Sequence, residues 1–338
     1  MSTPQGQAGA GRELGHTAPL GPGRDTRRPA SLWGDARRQM VRNPVAMGSL
    51  AVIAFYILIT FLAPVLAPYD PLAYHVYDTY RPPIWDRNAP GGIDPDPRFV
   101  LGTDAVGRDL LSRLLFGTHT SMLVGLIAAP LVAAIGIAVG LLSGFAGPRV
   151  DNLLMRLTDV FYAFPNIMFY ILMMLILRDT QFGTWLGGVA MLVLALALVS
   201  WVGAARLVRA TVLSVKESEF VQAARCIGAS NRRLLLRHIL PNCLGPVVVW
   251  IAFAIPRLII AEAILGYLGI GLKPPTGDQS DSFFITSWGG LFLDGRRSIS
   301  NRPWMMLAPA ISLTLVAVAF NLLGDSLRDA LDPHMRNR

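Results

Sequence analysis

Six apolar stretches, each long enough to cross a lipid bilayer as a helix, constrain the fold of this chain more than any other feature. They cover residues of about 45–67, 121–145, 160–177, 185–207, 244–268 and 304–323. Of the 338 residues, 53% are hydrophobic and only 15% are charged, which is too apolar for a soluble protein of this length. The pattern predicts an all-α membrane protein with six transmembrane helices.

The N-terminal residues 1–44 are rich in Gly, Pro and Arg and lack apolar periodicity. This composition predicts a disordered basic tail that becomes a short juxtamembrane segment near residues 33–42. The first apolar run starts too late and is too long for a signal peptide, so we expect it to be retained as an anchor. Residues 45–326 then form the transmembrane domain, and residues 327–338 form the C-terminal segment.

Basic residues indicate how the chain is oriented. The sequence carries 30 Lys and Arg against 22 Asp and Glu, a formal charge of +8, and the arginines concentrate in the tail and in the loop after the fourth span. The positive-inside rule therefore predicts that both termini and this loop are cytoplasmic. In a membrane protein such charge marks cytoplasmic loops, so no nucleic-acid partner is expected. In the cytoplasm, Cys226 and Cys243 are expected to be reduced thiols.

A polar, basic segment, residues 216–241, lies between the fourth and fifth spans. Its apolar residues recur at three- and four-residue spacing, which predicts one face of a helix. They are Phe220, Ala223, Ala224 and Ile227.

After that helix the sequence predicts a corner and a second helix. Gly228 ends the first helix, the Ser230 hydroxyl caps the next, and Pro241 predicts a break because it has no amide donor. Taken alone, this hairpin fits two roles equally well: docking on a partner protein, or lying on anionic lipid. The arginines that would contact lipid are Arg225, Arg232, Arg233 and Arg237.

The segment resembles the EAA loop of ABC-importer permeases, in which Glu-Ala-Ala precedes a spaced Gly and Pro. The matching positions here are Gln222, Ala223, Ala224, Gly228, Leu240 and Pro241. Gln222 stands where the family usually has Glu, so no carboxylate contact is implied at that position. In that family the loop is a coupling helix that docks on a cytoplasmic ATPase, and the resemblance implies the same role here within a type I importer fold.

A second match precedes the second span and resembles the dipeptide and oligopeptide branch of that family. It reads Leu-Gly-Thr-Asp-x-x-Gly-Arg-Asp and comprises Gly102, Thr103, Asp104, Gly107, Arg108 and Asp109, followed by an amphipathic stretch expected to lie along the membrane interface. A plain reading with Asp104 as a helix cap is compatible with it. The resemblance is interrupted at residues 277–286, which form an insertion in the second exterior loop.

The fifth span contains two ionisable residues, Arg257 and Glu262. Charges at membrane depth are costly, so they usually pair or line a wet cavity. One reading places Glu262, and with it Arg257, near the translocation path or its outer gate. The other places both near the exterior end of the helix, where they would snorkel to water.

The sequence contains no phosphate-binding Gly-rich loop, no metal-ligand cluster and no nucleophile elbow, so no enzymatic activity, metal or cofactor is expected. The resemblance implies a permease subunit of a binding-protein-dependent peptide importer in the bacterial inner membrane, in contact with membrane lipid. It also implies a homologous second permease, two ATPase subunits that bind the ATP, and an extracytoplasmic solute-binding protein. Nickel, glutathione or oligosaccharide cargo, and a self-contained secondary transporter, are the alternatives.

Overall fold

The computed structural model describes residues 32–87, 93–272, 284 and 286–331. This part of the chain is α-helical, apart from turns and one isolated β-bridge between Thr103 and Asp109. The helices are α1 (Leu32–Arg42), α2 (Pro44–Leu66), α3 (Leu110–Phe145), α4 (Pro148–Ala163), α5 (Asn166–Leu177), α6 (Gln181–Thr184), α7 (Val189–Lys216), α8 (Glu219–Cys226), α9 (Asn231–Arg233), α10 (Leu240–Tyr267), α11 (Trp288–Gly295) and α12 (Trp304–Leu331).

Within the described ranges, five helical segments are long and apolar enough to cross a membrane: α2, α3, α7, the segment that ends with α10, and α12. The pair α4 and α5 passes the same test only together, and its two halves are bent by 93°. Counted as one span, the pair brings the number to six, which agrees with the all-α, six-span fold that the sequence predicts.

The spans form a bundle with two distinct ends. Gly136 and Gly144 of α3 contact Ala204 and Val212 of α7, so these helices run parallel. α10 runs antiparallel to α3, because Gly125 meets Ile259 while the earlier Ser121 meets Glu262. One end therefore carries residues 216–240, and we call it the elbow end. The other carries residues 69–87, residues 93–109 and α11, and we call it the platform end.

Three glycines at four-residue spacing in α3, Gly136, Gly140 and Gly144, pack directly on α7. A Cβ atom at Gly136 would lie 2.3 Å from the Cβ of Ala204, and one at Gly140 would lie 2.6 Å from the Ala205 carbonyl oxygen. Contacts this short leave no room for a larger side chain, so the small residues allow the two backbones to approach closely.

Three expectations about the elements are wrong in detail. The second span and the amphipathic stretch before it are one helix of 36 residues, because Asp109 caps its start and the chain continues without a turn into the apolar run. The third span is not one straight helix. Pro165 offers no amide donor and forces Phe164 into an extended conformation (φ −96°, ψ 142°), so α4 ends there and α5 starts in a new direction.

The expectation of a disordered tail does not hold for its last part. Residues 32–42 form α1, whose Ala36 is buried and which packs against α12. Ala36 and Met40 lie four residues apart and line a pocket shared with Leu327. This packing explains why the helix forms. Residues 1–31, 277–283, 285 and 332–338 of the predicted tail, insertion and C-terminal segment lie outside the described residues.

Candidate coupling elbow and charged sites

The elbow end is built from α8, a tight corner and α9. Gly228 adopts a left-handed conformation (φ 87°), and the amide of Ala229 donates to the Ala224 carbonyl at 3.0 Å, which closes the end of α8. The Ser230 hydroxyl then accepts from the Arg233 amide and starts α9. The predicted helix, corner and second helix are therefore present, with Gly228 and Ser230 in the expected positions.

The elbow presents one face to the bundle and another outward. Val221 and Ala224 are buried with Leu234 and Ile239 in an apolar cluster that joins the elbow to α7. The outward face consists of Phe220, Gln222, Ala223, Ile227 and Gly228. Ala224 therefore faces inward, unlike the other residues of its predicted apolar face.

The sequence predicts that Pro241 breaks the helix, but the helix continues through it. Residues 234–239 form a π-helical turn in which the Leu240 amide donates to the Leu235 carbonyl, and the helix then continues from α9 into α10 as one segment. The wider turn accommodates a residue that lacks an amide donor, which explains the continuity. Pro241 is exposed and Leu240 is half-buried. The outward face is thus joined rigidly to a membrane span.

At the platform end, the Gly residues of the matched signature allow close backbone contacts. Gly102 and Gly107 have φ angles of 78° and 80°. A Cβ atom at Gly102 would lie 2.3 Å from the Arg81 carbonyl oxygen, and one at Gly107 would lie 2.0 Å from that of His75. Both positions therefore require glycine.

The polar signature residues fix the same loop. The Thr103 hydroxyl donates to the Asp78 carbonyl and accepts from the Arg81 amide at 2.9 Å. Asp109 caps α3 by accepting from the Ser112 amide at 2.7 Å and from its hydroxyl at 2.6 Å. Burial raises the pKa of Asp109 above the ordinary value, and the hydrogen bonds from Ser112 oppose that rise.

Asp104 lies at the centre of a charge network. Its Oδ2 atom accepts from Arg108 and Arg113, each at 2.7 Å. The same two guanidinium groups reach Asp294 on α11, at 3.2 Å and 2.7 Å. Asp104 and Arg113 are both buried. The network therefore ties α11 to the start of α3. Asp104 does not cap a helix, as one reading of the sequence expects. Its Oδ1 atom accepts from the amides of residues 106 and 108 in the turn before α3, and Asp109 caps that helix.

Glu262 is fully buried, with an exposed fraction of 0%, so the expectation that it snorkels to water is wrong. Its Oε2 atom accepts a hydrogen bond of 2.8 Å from the Ser121 hydroxyl, which in turn accepts from the Trp288 amide at 3.1 Å. In this structure the side chain thus joins α10, α3 and α11 rather than lining an open surface.

Arg257 lies in a different environment. It is exposed on α10, and in the described part of the chain no carboxylate forms a salt bridge with it. Arg257 and Glu262 are five residues apart, which is about 140° around a helix. The structure therefore does not pair them.

Comparison with known proteins identifies the family. The sequence profile described as "Binding-protein-dependent transport system inner membrane component" matches residues 136–337. The chain belongs to this family. A second profile, described as the N-terminal TM domain of oligopeptide transport permease C, matches residues 31–83 of this permease.

The sequences of known relatives are similar to this permease along almost its full length. It is 37% identical over 306 residues to the oligopeptide transport system permease protein OppC of Haemophilus influenzae, covering 90% of each chain. It is 38% identical to OppC of Escherichia coli, covering 90% of this chain and 92% of that one. It is 33% identical to the dipeptide transport system permease protein DppC of Bacillus subtilis, covering 92% and 88%.

Solved structures share its fold. An inward-facing conformation of the MetNI methionine ABC transporter matches with a TM-score of 0.52 at 17% identity, covering 66% of this chain and 98% of that one. At this identity the match speaks for the fold alone. This permease is therefore a multi-pass membrane protein with a type I ABC importer-like fold.

Several residues of the charged sites were absent from the sequence prediction. Arg113, Asp294, Ser121 and Trp288 join Asp104 or Glu262 only through tertiary contacts between distant segments. A partial signal was present, because Arg113 follows the signature by one helical turn. Within the described ranges, no group of three His, Cys, Asp or Glu side chains is arranged to hold a metal ion.

Proposed function

We propose that this permease forms half of the translocation pathway of an ATP-driven, binding-protein-dependent importer of peptides. The relatives named above are oligopeptide and dipeptide permeases, and their similarity over about nine-tenths of the chain supports peptide cargo. Dipeptide and oligopeptide transport are both compatible with these names. The remaining half of the pathway belongs to a homologous second permease.

The observation that carries the proposal is the outward face of the elbow. Ile227 is 87% exposed at the corner that ends α8, and Phe220 in the first turn of the same helix is also exposed, although neither residue belongs to an apolar span. Exposed apolar residues at a corner rimmed by arginines are typical of a protein contact. A cytoplasmic ATPase subunit is the partner that the EAA resemblance implies, and the exposed basic residues support a cytoplasmic location of this end by the positive-inside rule.

The geometry supports a lever mechanism. The elbow is continuous with α10 through the π-helical turn and is packed on α7 through Val221 and Leu234. A displacement of the elbow by an ATPase that closes on ATP would therefore move two spans together. Such a rigid connection would bias the bundle between inward-open and outward-open states. ATP is bound and hydrolysed by the partner subunits, and this chain is not an enzyme.

The opposite end suits the extracytoplasmic solute-binding protein. Residues 69–87, residues 93–109 and α11 form a platform, which the Asp104 network and the buried Glu262 contact hold on the spans. With the elbow in the cytoplasm of a bacterial cell, the platform faces the exterior. Both termini then lie in the cytoplasm.

An interface substitution tests the coupling. In the complete complex, Ile227→Asp should abolish peptide uptake and co-purification of the ATPase subunits, because a carboxylate replaces the most exposed apolar residue of the elbow. Membrane insertion and thermal stability should be unchanged, because the side chain packs against little of its own chain. Tyr77→Asp is the matched control for ATPase co-purification, which it should leave unchanged, since Tyr77 is 98% exposed at the opposite end of the bundle. Normal ATPase binding by Ile227→Asp would contradict the proposal.

A further inference from the structure

Arg257 lies near the midpoint of a long apolar segment. Uncharged residues occupy positions 243–256 before it, and residues 258–272 after it are apolar except for the buried Glu262. At 1.5 Å per residue, α10 extends about 20 Å before Arg257, back to residue 243, and about 15 Å after it, to its end at Tyr267. Half of a bilayer's hydrocarbon core is about 15 Å. Arg257 therefore lies at about the depth of the bilayer centre.

The exposed face of α10 that carries Arg257 does not suit contact with lipid alone, because it is charged. A charged side chain facing lipid at the bilayer centre is costly, and arginines at this depth face cavities or partners. Glu262 does not compensate the charge, since it is buried on another side of the helix with Ser121. The anion that neutralises Arg257 must therefore come from outside the described chain.

We propose that Arg257 lies on the translocation path and binds the C-terminal carboxylate of the peptide in transit. This inference rests on the proposed function. A guanidinium forms two parallel hydrogen bonds with a carboxylate, and such charge-assisted bonds are among the stronger ones in proteins. The C-terminal carboxylate is common to peptides of different length and side chains, so one arginine can serve varied cargo.

Chemical labelling tests the site directly. In the complete complex, Cys226 and Cys243 are replaced by Ser, and Ile260, which is exposed about one turn after Arg257, is replaced by Cys. An anionic methanethiosulfonate bearing a sulfonate should react with Cys at position 260 several-fold faster than a cationic one bearing a trimethylammonium group. Arg257→Gln should abolish this preference. A peptide retained by the cognate binding protein should slow the labelling when Arg257 is present and not when it is replaced.

Uptake provides the second measurement. Arg257→Gln should reduce peptide uptake by about tenfold or more through loss of a charge-assisted contact, and Arg257→Lys should retain part of it. Arg42→Gln, which removes an exposed arginine from α1, is the matched control and should leave uptake unchanged. Wild-type uptake in the same preparation tests the proposed function separately.

Three results would overturn the inference. They are no labelling of position 260 by either reagent, labelling without a charge preference, and a charge preference that the peptide does not alter. The first would place this face of α10 against lipid or protein. The last would indicate a fixed carboxylate of the partner permease instead of cargo. Uptake unchanged in Arg257→Gln would also exclude the site.

Discussion

Ser121 donates a hydrogen bond of 2.8 Å to Oε2 of Glu262, although the two residues are 141 positions apart. The same hydroxyl accepts from the Trp288 amide, so one serine connects two spans and the short helix α11. α11 is held at two further places, by the charge network at Asp294 and by the contact between Gly266 and Gly289. The platform end is thus locked by polar contacts that cross the bundle.

Removing the Glu262 side chain should destabilise this lock. Glu262→Ala leaves the buried Ser121 hydroxyl without its acceptor and opens a cavity, and we expect a loss of about 1–3 kcal/mol. Glu262→Gln keeps an acceptor oxygen and should lose less. Thermal unfolding of the purified complex measures both. Equal stability of wild type and Glu262→Ala would show that the contact does not support the platform.

Enlarging Gly266 should separate α11 from α10. A Cβ atom at Gly266 would lie 2.5 Å from the Cα of Gly289, a backbone atom that cannot move without displacing α11. Gly266→Ala should therefore lower the unfolding temperature and peptide uptake together. Gly245→Ala on the same helix is the control, because a Cβ atom there meets nothing within 4 Å. Equal effects of the two substitutions would argue against the close contact.

Asp104→Ala should be among the most damaging changes outside the spans. It removes the buried one of the two carboxylates that hold the Arg113 guanidinium, each at 2.7 Å, and loss of one partner of a buried ion pair costs about 3–5 kcal/mol. Asp96→Ala, which removes one of the two carboxylates that contact the exposed Arg98, should have a far smaller effect. Denaturation of the two variants in parallel provides the comparison, and a similar loss in both would refute the central role of Asp104.

Asp109 should give a pH-dependent difference. Its raised pKa means that the ionised carboxylate is less favourable in the folded chain than in the unfolded one. The folded state therefore loses stability at this group as the pH rises from the ordinary value through the raised value. Asp109→Asn, which does not titrate, should gain stability relative to wild type across that window, and the gain should vanish at lower pH.

A second variant separates titration from capping. Asp109→Ala removes the acceptor for the Ser112 amide and should cost about 1 kcal/mol. Unfolding temperatures of the three proteins, measured over a pH series, distinguish the effects. A pH-independent difference between wild type and Asp109→Asn would contradict the titration.

Local rules explain which predictions from the sequence succeeded. The apolar runs, the corner at Gly228 and the cap at Ser230 depend on spacing and on single-residue conformational preferences, which are readable from the sequence. Pro165 and Pro241 have the same missing donor, yet one bends the chain and the other does not. The difference lies in the π-helical turn before Pro241, which depends on how Leu234 and Ile239 pack against α7 and not on the proline itself.

The sequence by itself determined that this is a polytopic α-helical membrane protein with a helix–corner–helix elbow and two ionisable residues in its fifth span. Only the tertiary structure decided what those residues do. Glu262 accepts a hydrogen bond from Ser121, which is more than a hundred residues earlier and also contacts Trp288, about twenty-five residues after Glu262. Arg257 remains exposed. Placing a charged side chain at membrane depth is costly for both residues. Which of them obtains hydrogen-bond partners depends on which face of α10 packs against the rest of the bundle.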